Sequence, residues 1–182
     1  MREFISSLSK IEFDKVRLRI GGYLQTPMGN DHLESLGPRT DEGWIRGELA
    51  LTTEMKRLQG EGTPVPTRGL PDIRTALQRA SIVDFILPAV DLLSIAHLAS
   101  NSRELKAFFS GRAKEYPGLA ALIAPLTVEK ALEYNIPRAI DEEGRVTDGA
   151  SQTLHSIRRA IRRKSEALRS QMESILGSLH KK

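Results

Sequence analysis

A chain of 182 residues with 40% hydrophobic and 27% charged residues can fold around a packed core. The absence of cysteine excludes disulfides, thiolate metal sites and a thiol nucleophile. No apolar run reaches the roughly 18 residues of a membrane span, and the N-terminus lacks a signal-peptide core, so the cytoplasm is the default compartment.

The net charge of +4 is unevenly placed: residues 151–182 sum to +6 and residues 1–150 to −2. Excess positive charge gathered on one segment can mark contact with nucleic acid.

Along the chain, helices alternate with Pro and Gly punctuation. Phe13, Val16, Ile20 and Leu24 recur at helical spacing. Thr26-Pro27 supplies a capping hydroxyl and a first-turn proline for a short helix that stops at Gly37-Pro38. Thr40 is the expected cap of the next helix, with Trp44, Leu51, Met55 and Leu58 on its buried side and Gly60-Glu61-Gly62 at its end. A connector, GEGTPVPTRGLP, leads to Pro71, which is expected to open a helix whose Ile73, Ala76, Leu77 and Ala80 face the core.

From Phe85 to Leu98 the chain is strongly apolar, which predicts a helix packed on more than one side, with Pro88 in its first turn and a break at Gly111. Pro117 opens a short helix, and Thr127 is the expected cap of another ending near Ile136, before Pro137. Only Arg145-Val146-Thr147 reads as extended, as a small hairpin or arm. The fold class is all-α.

Ser151 then caps a terminal helix on which Leu154, Ile157, Ile161, Leu168, Met172, Ile175 and Leu179 form a narrow heptad-like seam with one polar layer near Lys164-Ser165. Thirty helical residues span roughly 45 Å, so this helix should project from the core. The division expected is a helical core over 1–150 and a projecting helix over 151–182, the N-terminal piece of a longer protein ending inside a coiled region.

Catalytic chemistry is hard to find. No G-x-x-x-x-G-K-[ST] occurs, no G-x-S-x-G supports a nucleophile, and His32, His97, His155 and His180 lie far apart. His97 is expected to be packed or hydrogen-bonded, and the Asp141-Glu142-Glu143 turn to be solvated rather than a cation site. No catalytic, metal or cofactor site is expected in this chain, and no enzyme activity.

The remaining candidate is a basic surface: Arg158, Arg159, Arg162, Arg163, Lys164 and Arg169. Arginines four residues apart stack along a helix and can follow a phosphate backbone without reading sequence. The competing arrangement pairs them with acids on a neighbouring helix, such as Glu48 or Glu54.

Four segments share one family pattern in order. Leu8-Ser9-Lys10-Ile11-Glu12-Phe13-Asp14-Lys15-Val16 matches L-x-x-[LI]-E-F-D-K-[VI], and Thr26-Pro27-Met28-Gly29 with Leu33, Leu36 and Pro38 matches T-P-x-G-x-x-x-L-x-x-L-x-P. Gly69-Leu70-Pro71-Asp72-Ile73-Arg74 with Leu77 and Ala80 matches G-[IL]-x-D-[IV]-x-x-x-L-x-x-A. Asp141, Glu142, Gly144, Val146, Asp148, Ala150 and Ser151 match D-E-x-G-x-[VI]-x-D-x-A-S.

The chain thereby resembles the MutS-two family, the MutS paralogues that lack the mismatch-reading domain. The resemblance implies a multi-helical core followed by a lever helix running from Leu154 to Leu179. In the full-length protein it implies a homodimeric ATPase using ATP and Mg, with a nuclease domain in some members. It further implies coupling of ATPase state to clamping of branched DNA or stalled ribosomes, and suppression of recombination. The ATPase and nuclease domains are absent from this chain. The alternative is a structural coiled-coil or dimerisation module whose basic face binds protein.

Overall fold

The computed structural model describes residues 10–67 and 69–179, with side chains described up to Leu176. Among these residues it is all-helical: α1 (Phe13–Gly21), α2 (Pro27–Glu34), α3 (Glu42–Gly60), α4 (Arg74–Ala80), α5 (Ala89–Ser110), α6 (Pro117–Ile123), α7 (Lys130–Ala139), a 3-10 turn (Asp148–Ala150) and α8 (Gln152–Leu179). No described helix is long and apolar enough to cross a membrane.

The centre of the molecule is α5. On one side Leu105 and Phe109 pack with Leu58 of α3, and with Tyr116 and Leu119 at the start of α6; Leu58 and Tyr116 are fully buried. The Tyr116 hydroxyl donates to Glu61, which raises its pKa above the ordinary phenol value, and the Arg57 guanidinium lies 5.3 Å from the ring centre. Nearer the start of α5, Ala96 packs with Ile136 and Ile140 from α7 and its end. The helix is thus buried on more than one side, as its pattern predicts.

Helix α6 is held to α3 by its first-turn amides. Glu54 accepts from the Gly118 N–H at 3.0 Å and the Leu119 N–H at 2.9 Å, which places a carboxylate at a helix N-terminus where the macrodipole favours it. Glycine at 118 keeps this approach close: a Cβ there would lie 3.0 Å from a Leu51 methyl, which would have to shift by a few tenths of an ångström.

Several boundaries move from their expected places for physical reasons. Asp41, rather than Thr40, caps α3 by accepting from Trp44 N–H at 2.8 Å; its carboxylate is the stronger acceptor. Helix α4 begins at Arg74, because residues 69–73 are shaped otherwise. Gly69 takes a left-handed φ of 69°, and Asp72 turns back onto Arg74. Arg74 also pairs with Asp31 of α2, and it holds the Asp72 carboxyl down at about 2.

Pro88 is the N-cap of α5 rather than a first-turn residue. Helix α7 starts at Lys130 with Glu129, not Thr127, at its cap position. It also continues past Pro137 to Ala139: a proline in the last turn forfeits one backbone bond, and the burial of Ile136 and Ile140 on either side holds the chain in place.

Other side chains expected inside are outside. Trp44 is 46% exposed and Leu77 53%, while Ala80 is also exposed; of that α4 set Ala76 is buried and Ile73 half-buried. His97 is exposed beside Ser100, Glu133 and Asp141 in an open cleft, not packed. Among the described residues many large apolar side chains stay uncovered, on α8 and on the core helices alike.

A candidate nucleic-acid interface at the root of the long helix

The basic helix leaves the core through a joint that can be built one residue at a time. At the end of α7, Ile140 bridges to Val146 in antiparallel pairing, so the extended reading of 145–147 holds as a minimal hairpin. Gly144 sits at its tip with φ 77°, a left-handed conformation that favours glycine. Thr147 closes the hairpin onto the helix end: its N–H donates to Ala139 O at 2.8 Å and its hydroxyl to Arg138 O at 2.5 Å. Both acceptors are carbonyls that a helix C-terminus leaves without partners.

The acidic turn is internally satisfied. Asp141 accepts from the Arg145 N–H at 2.8 Å and from its guanidinium at 2.9 Å, and Glu143 meets the same guanidinium at 2.9 Å. The Arg145 amide and guanidinium hold the Asp141 carboxyl below its usual range. Among the described residues no group of three His, Cys, Asp or Glu side chains could hold a metal ion.

Next come the 3-10 turn and the cap. Ser151 is extended, and its hydroxyl accepts from Leu154 N–H at 3.0 Å, which makes it the N-cap of α8. From the turn, Asp148 reaches along the first three turns of α8. Its carboxylate pairs with Arg158 at 2.8 Å and Arg162 at 3.0 Å, and His155 lies 4.0 Å away. Arg158 also donates to Val146 O at 2.8 Å, so one guanidinium ties helix, turn and hairpin together. The two arginines depress the Asp148 pKa, Arg158 more strongly than Arg162.

The predicted basic residues therefore fall into separate groups. Arg158 and Arg162 are engaged by Asp148, not by Glu48 or Glu54, and Glu54 is occupied at α6. Arg159 and Arg163 lie about 100° further round the helix, exposed, and among the described residues neither makes an ion pair. Arg169 pairs with exposed Glu173 at 3.3 Å, an arrangement worth little in water. Lys164 departs from the grouping: three residues past Ile161 and seven past Ile157, it stands in the apolar seam rather than beside the arginines. The seam is largely exposed, with Ile157 51%, Ile161 59%, Leu168 60% and Met172 61% exposed, Leu154 half-buried and Ile175 exposed. The Leu179 side chain lies outside the described residues.

No protein-family model matches the chain. Individual proteins do. It is 37% identical over 156 residues to the protein named endonuclease MutS2 of Symbiobacterium thermophilum, an alignment covering 86% of this chain and 19% of that protein. The identity is 33% over 174 residues to endonuclease MutS2 of Geobacillus kaustophilus, covering 94% and 22%. It is 35% over 175 residues to endonuclease MutS2 of Clostridium beijerinckii, also covering 94% and 22%. The chain belongs to the MutS2 family. It spans about a fifth of the length of these relatives.

The MutS2-like motif before α8 now has a physical content. Asp141 holds the turn, Gly144 supplies its left-handed corner, Val146 bridges, Asp148 clips the helix and Ser151 caps it. Reading the sequence missed Asp148 as the partner of Arg158 and Arg162. Its separations of 10 and 14 residues follow no helical spacing, because the 3-10 turn intervenes.

The clip has a defined pH dependence. A carboxyl with a lowered folded pKa adds stability that is fully present above its unfolded value of about 3.9 and is lost as pH falls through the folded value. We expect the root of α8 to stay clipped at pH 5–8 and to loosen only below about pH 4. A 13C titration of the Asp148 carboxyl should give a midpoint below about 3.9, returning to the ordinary range in Arg158→Gln/Arg162→Gln.

Proposed function

We propose that this chain is the core and lever segment of a MutS2-type protein, with residues 1–150 anchoring the lever and 151–182 beginning it. In this reading α8 meets the phosphate backbone of nucleic acid, and contributes no catalysis itself. The observation that carries it is the exposed Arg159/Arg163 pair, which stands beside two further arginines already holding a carboxylate. Phosphate and carboxylate are bound by the same guanidinium geometry. Asp148 therefore occupies a place that a backbone phosphate can take, and binding would recruit Arg158 and Arg162 after Arg159 and Arg163.

The chemistry is non-specific: no aromatic side chain interleaves with the arginines to stack a base. Within a whole MutS2-type protein, the lever would couple ATPase state to closure of a homodimeric clamp around branched DNA or a stalled ribosome, with suppression of recombination as the outcome. ATP and Mg would be held elsewhere in such a protein, since this sequence has no phosphate-cradling G-x-x-x-x-G-K-[ST]. A cytoplasmic setting fits that role.

Replacing Asp148 by asparagine tests the competition. The change keeps the side-chain shape while removing the charge that rivals phosphate. Affinity for duplex DNA should rise about tenfold at low salt with the salt slope unchanged. Unchanged affinity would confine the contact to Arg159 and Arg163.

The second reading, a structural coiled-coil module whose basic face binds protein, is favoured by one observation: Arg158 and Arg162 already serve an internal ion pair. Under it the chain would show no nucleic-acid affinity even at low salt.

A further inference from the structure

The joint between α7 and α8 divides into two hydrogen-bonded bodies. The first is the end of α7 with the hairpin and the 3-10 turn. Thr147 donates to Ala139 O and Arg138 O, Ile140 bridges to Val146, and the Ala150 N–H donates to Thr147 O at 3.2 Å. The second body is α8 with its cap. The Ser151 hydroxyl accepts from Leu154 N–H, and the Ser151 carbonyl accepts from His155 N–H at 3.1 Å.

The two bodies meet at a single peptide. Bonds of the first end at Ala150 and bonds of the second begin at Ser151, whose backbone is extended with φ −157° and ψ 151°. Each residue has two soft dihedrals. Turning ψ of Ala150 or φ of Ser151 therefore swings α8, cap included, without breaking a backbone hydrogen bond of either body.

Side chains restrain that swing. Arg158 donates to Asp148 and to Val146 O, each at 2.8 Å, and Arg162 donates to the second Asp148 oxygen at 3.0 Å. Among the described residues these are the hydrogen bonds that cross from one body to the other. One carboxylate and one carbonyl thus fix the direction in which α8 leaves α7.

We infer that α8 pivots about the Ala150–Ser151 peptide, that Asp148 locks the pivot by holding Arg158 and Arg162, and that a backbone phosphate taking both guanidinium groups unlocks it. The lock is a property of the joint, whereas the release rests on the phosphate reading above. The Asp148, Arg158 and Arg162 side chains are 35%, 38% and 60% exposed. Ion pairs this open to water are weak and screened by salt, so the dense charge of a nucleic-acid backbone can displace the carboxylate. Phosphate and carboxylate compete for the same guanidinium fork, and a ligand that binds only the unlocked arrangement shifts the population towards it.

The chain contains no cysteine, so two spin labels can be placed at chosen sites. Asn135→Cys on α7 and Gln171→Cys on α8 replace exposed residues. Pulsed electron paramagnetic resonance on labelled chain diluted into unlabelled chain would read the distance between labels within one molecule. A locked joint predicts one narrow distance in the parent. Asp148→Asn, and separately Arg158→Gln/Arg162→Gln, should lose it and give a broad spread, with helix content by circular dichroism unchanged. Duplex DNA at low salt, its binding followed by mobility shift, should move the parent's distance away from the locked value.

A narrow distance that survives Asp148→Asn overturns the lock, as does a broad spread in the parent itself. DNA that binds and leaves the parent's distance in place overturns the release, and confines the phosphate contact to Arg159 and Arg163. DNA that does not bind overturns the phosphate reading and the release with it, while the two variants still decide the lock.

Discussion

Leu58→Ala is expected to destabilise this chain by about 3 kcal/mol, within the 2–5 kcal/mol span of leucine truncations in packed cores. Leu58 is fully buried and touches the elements that make the main cluster: it sits on α3 and packs with Leu105 and Phe109 of α5 and with Tyr116 and Leu119 at α6. The core is small, so few neighbours can move in to fill the space. Domains of ordinary stability hold only about 5–15 kcal/mol in reserve, and the loss is a large share of that. Urea unfolding should show a lower midpoint with an unchanged slope. A midpoint within experimental error of the parent would mean that the cluster around Leu58 is not the centre of the fold.

Arg159→Glu with Arg163→Glu is expected to lower affinity for duplex DNA by about 3 kcal/mol, on the order of a hundredfold at low salt. Both side chains are exposed, and neither makes an ion pair among the described residues, so the reversal removes no contact on which the fold depends. The slope of log K against log salt should fall by about 1.8, two contacts at about 0.9 each. Reversing Arg158 and Arg162 is the poorer experiment, because it also breaks the Asp148 clip and the Val146 contact. A full loss of affinity in that variant would not separate a binding role from a structural one. If Arg159→Glu/Arg163→Glu binds DNA as the parent does, the exposed pair is not the interface.

Much of this architecture is legible in the sequence because its signals are local. The Thr26-Pro27 start, the Ser151 cap, the Pro117 start and the Gly111 stop each depend on chemistry within one helical turn. The long α8 is equally plain from its seam. What the sequence does not reveal is contact across distance. Glu54 binding the α6 amides, Arg74 joining Asp31 to Asp72, and Asp148 holding Arg158 and Arg162 are all pairings without a periodicity to find them.

The exposed apolar side chains have a related cause. Trp44 and Leu77 carry helical spacing that predicts a buried face, yet among the described residues no element covers them. Periodicity identifies a face that can be buried, and only the assembled packing decides whether it is. The basic helix illustrates the same limit. Spacing groups its arginines, but the structure divides them between an internal clip and an open face.

One titration addresses directly whether α8 meets a phosphate backbone. Binding of the unmodified chain to duplex and four-way-junction DNA would be followed across a salt series. Four arginine contacts predict a slope of about −3.6. No binding at low salt, or a slope shallower than about −1, would contradict a phosphate-binding lever and leave the basic face to protein packing.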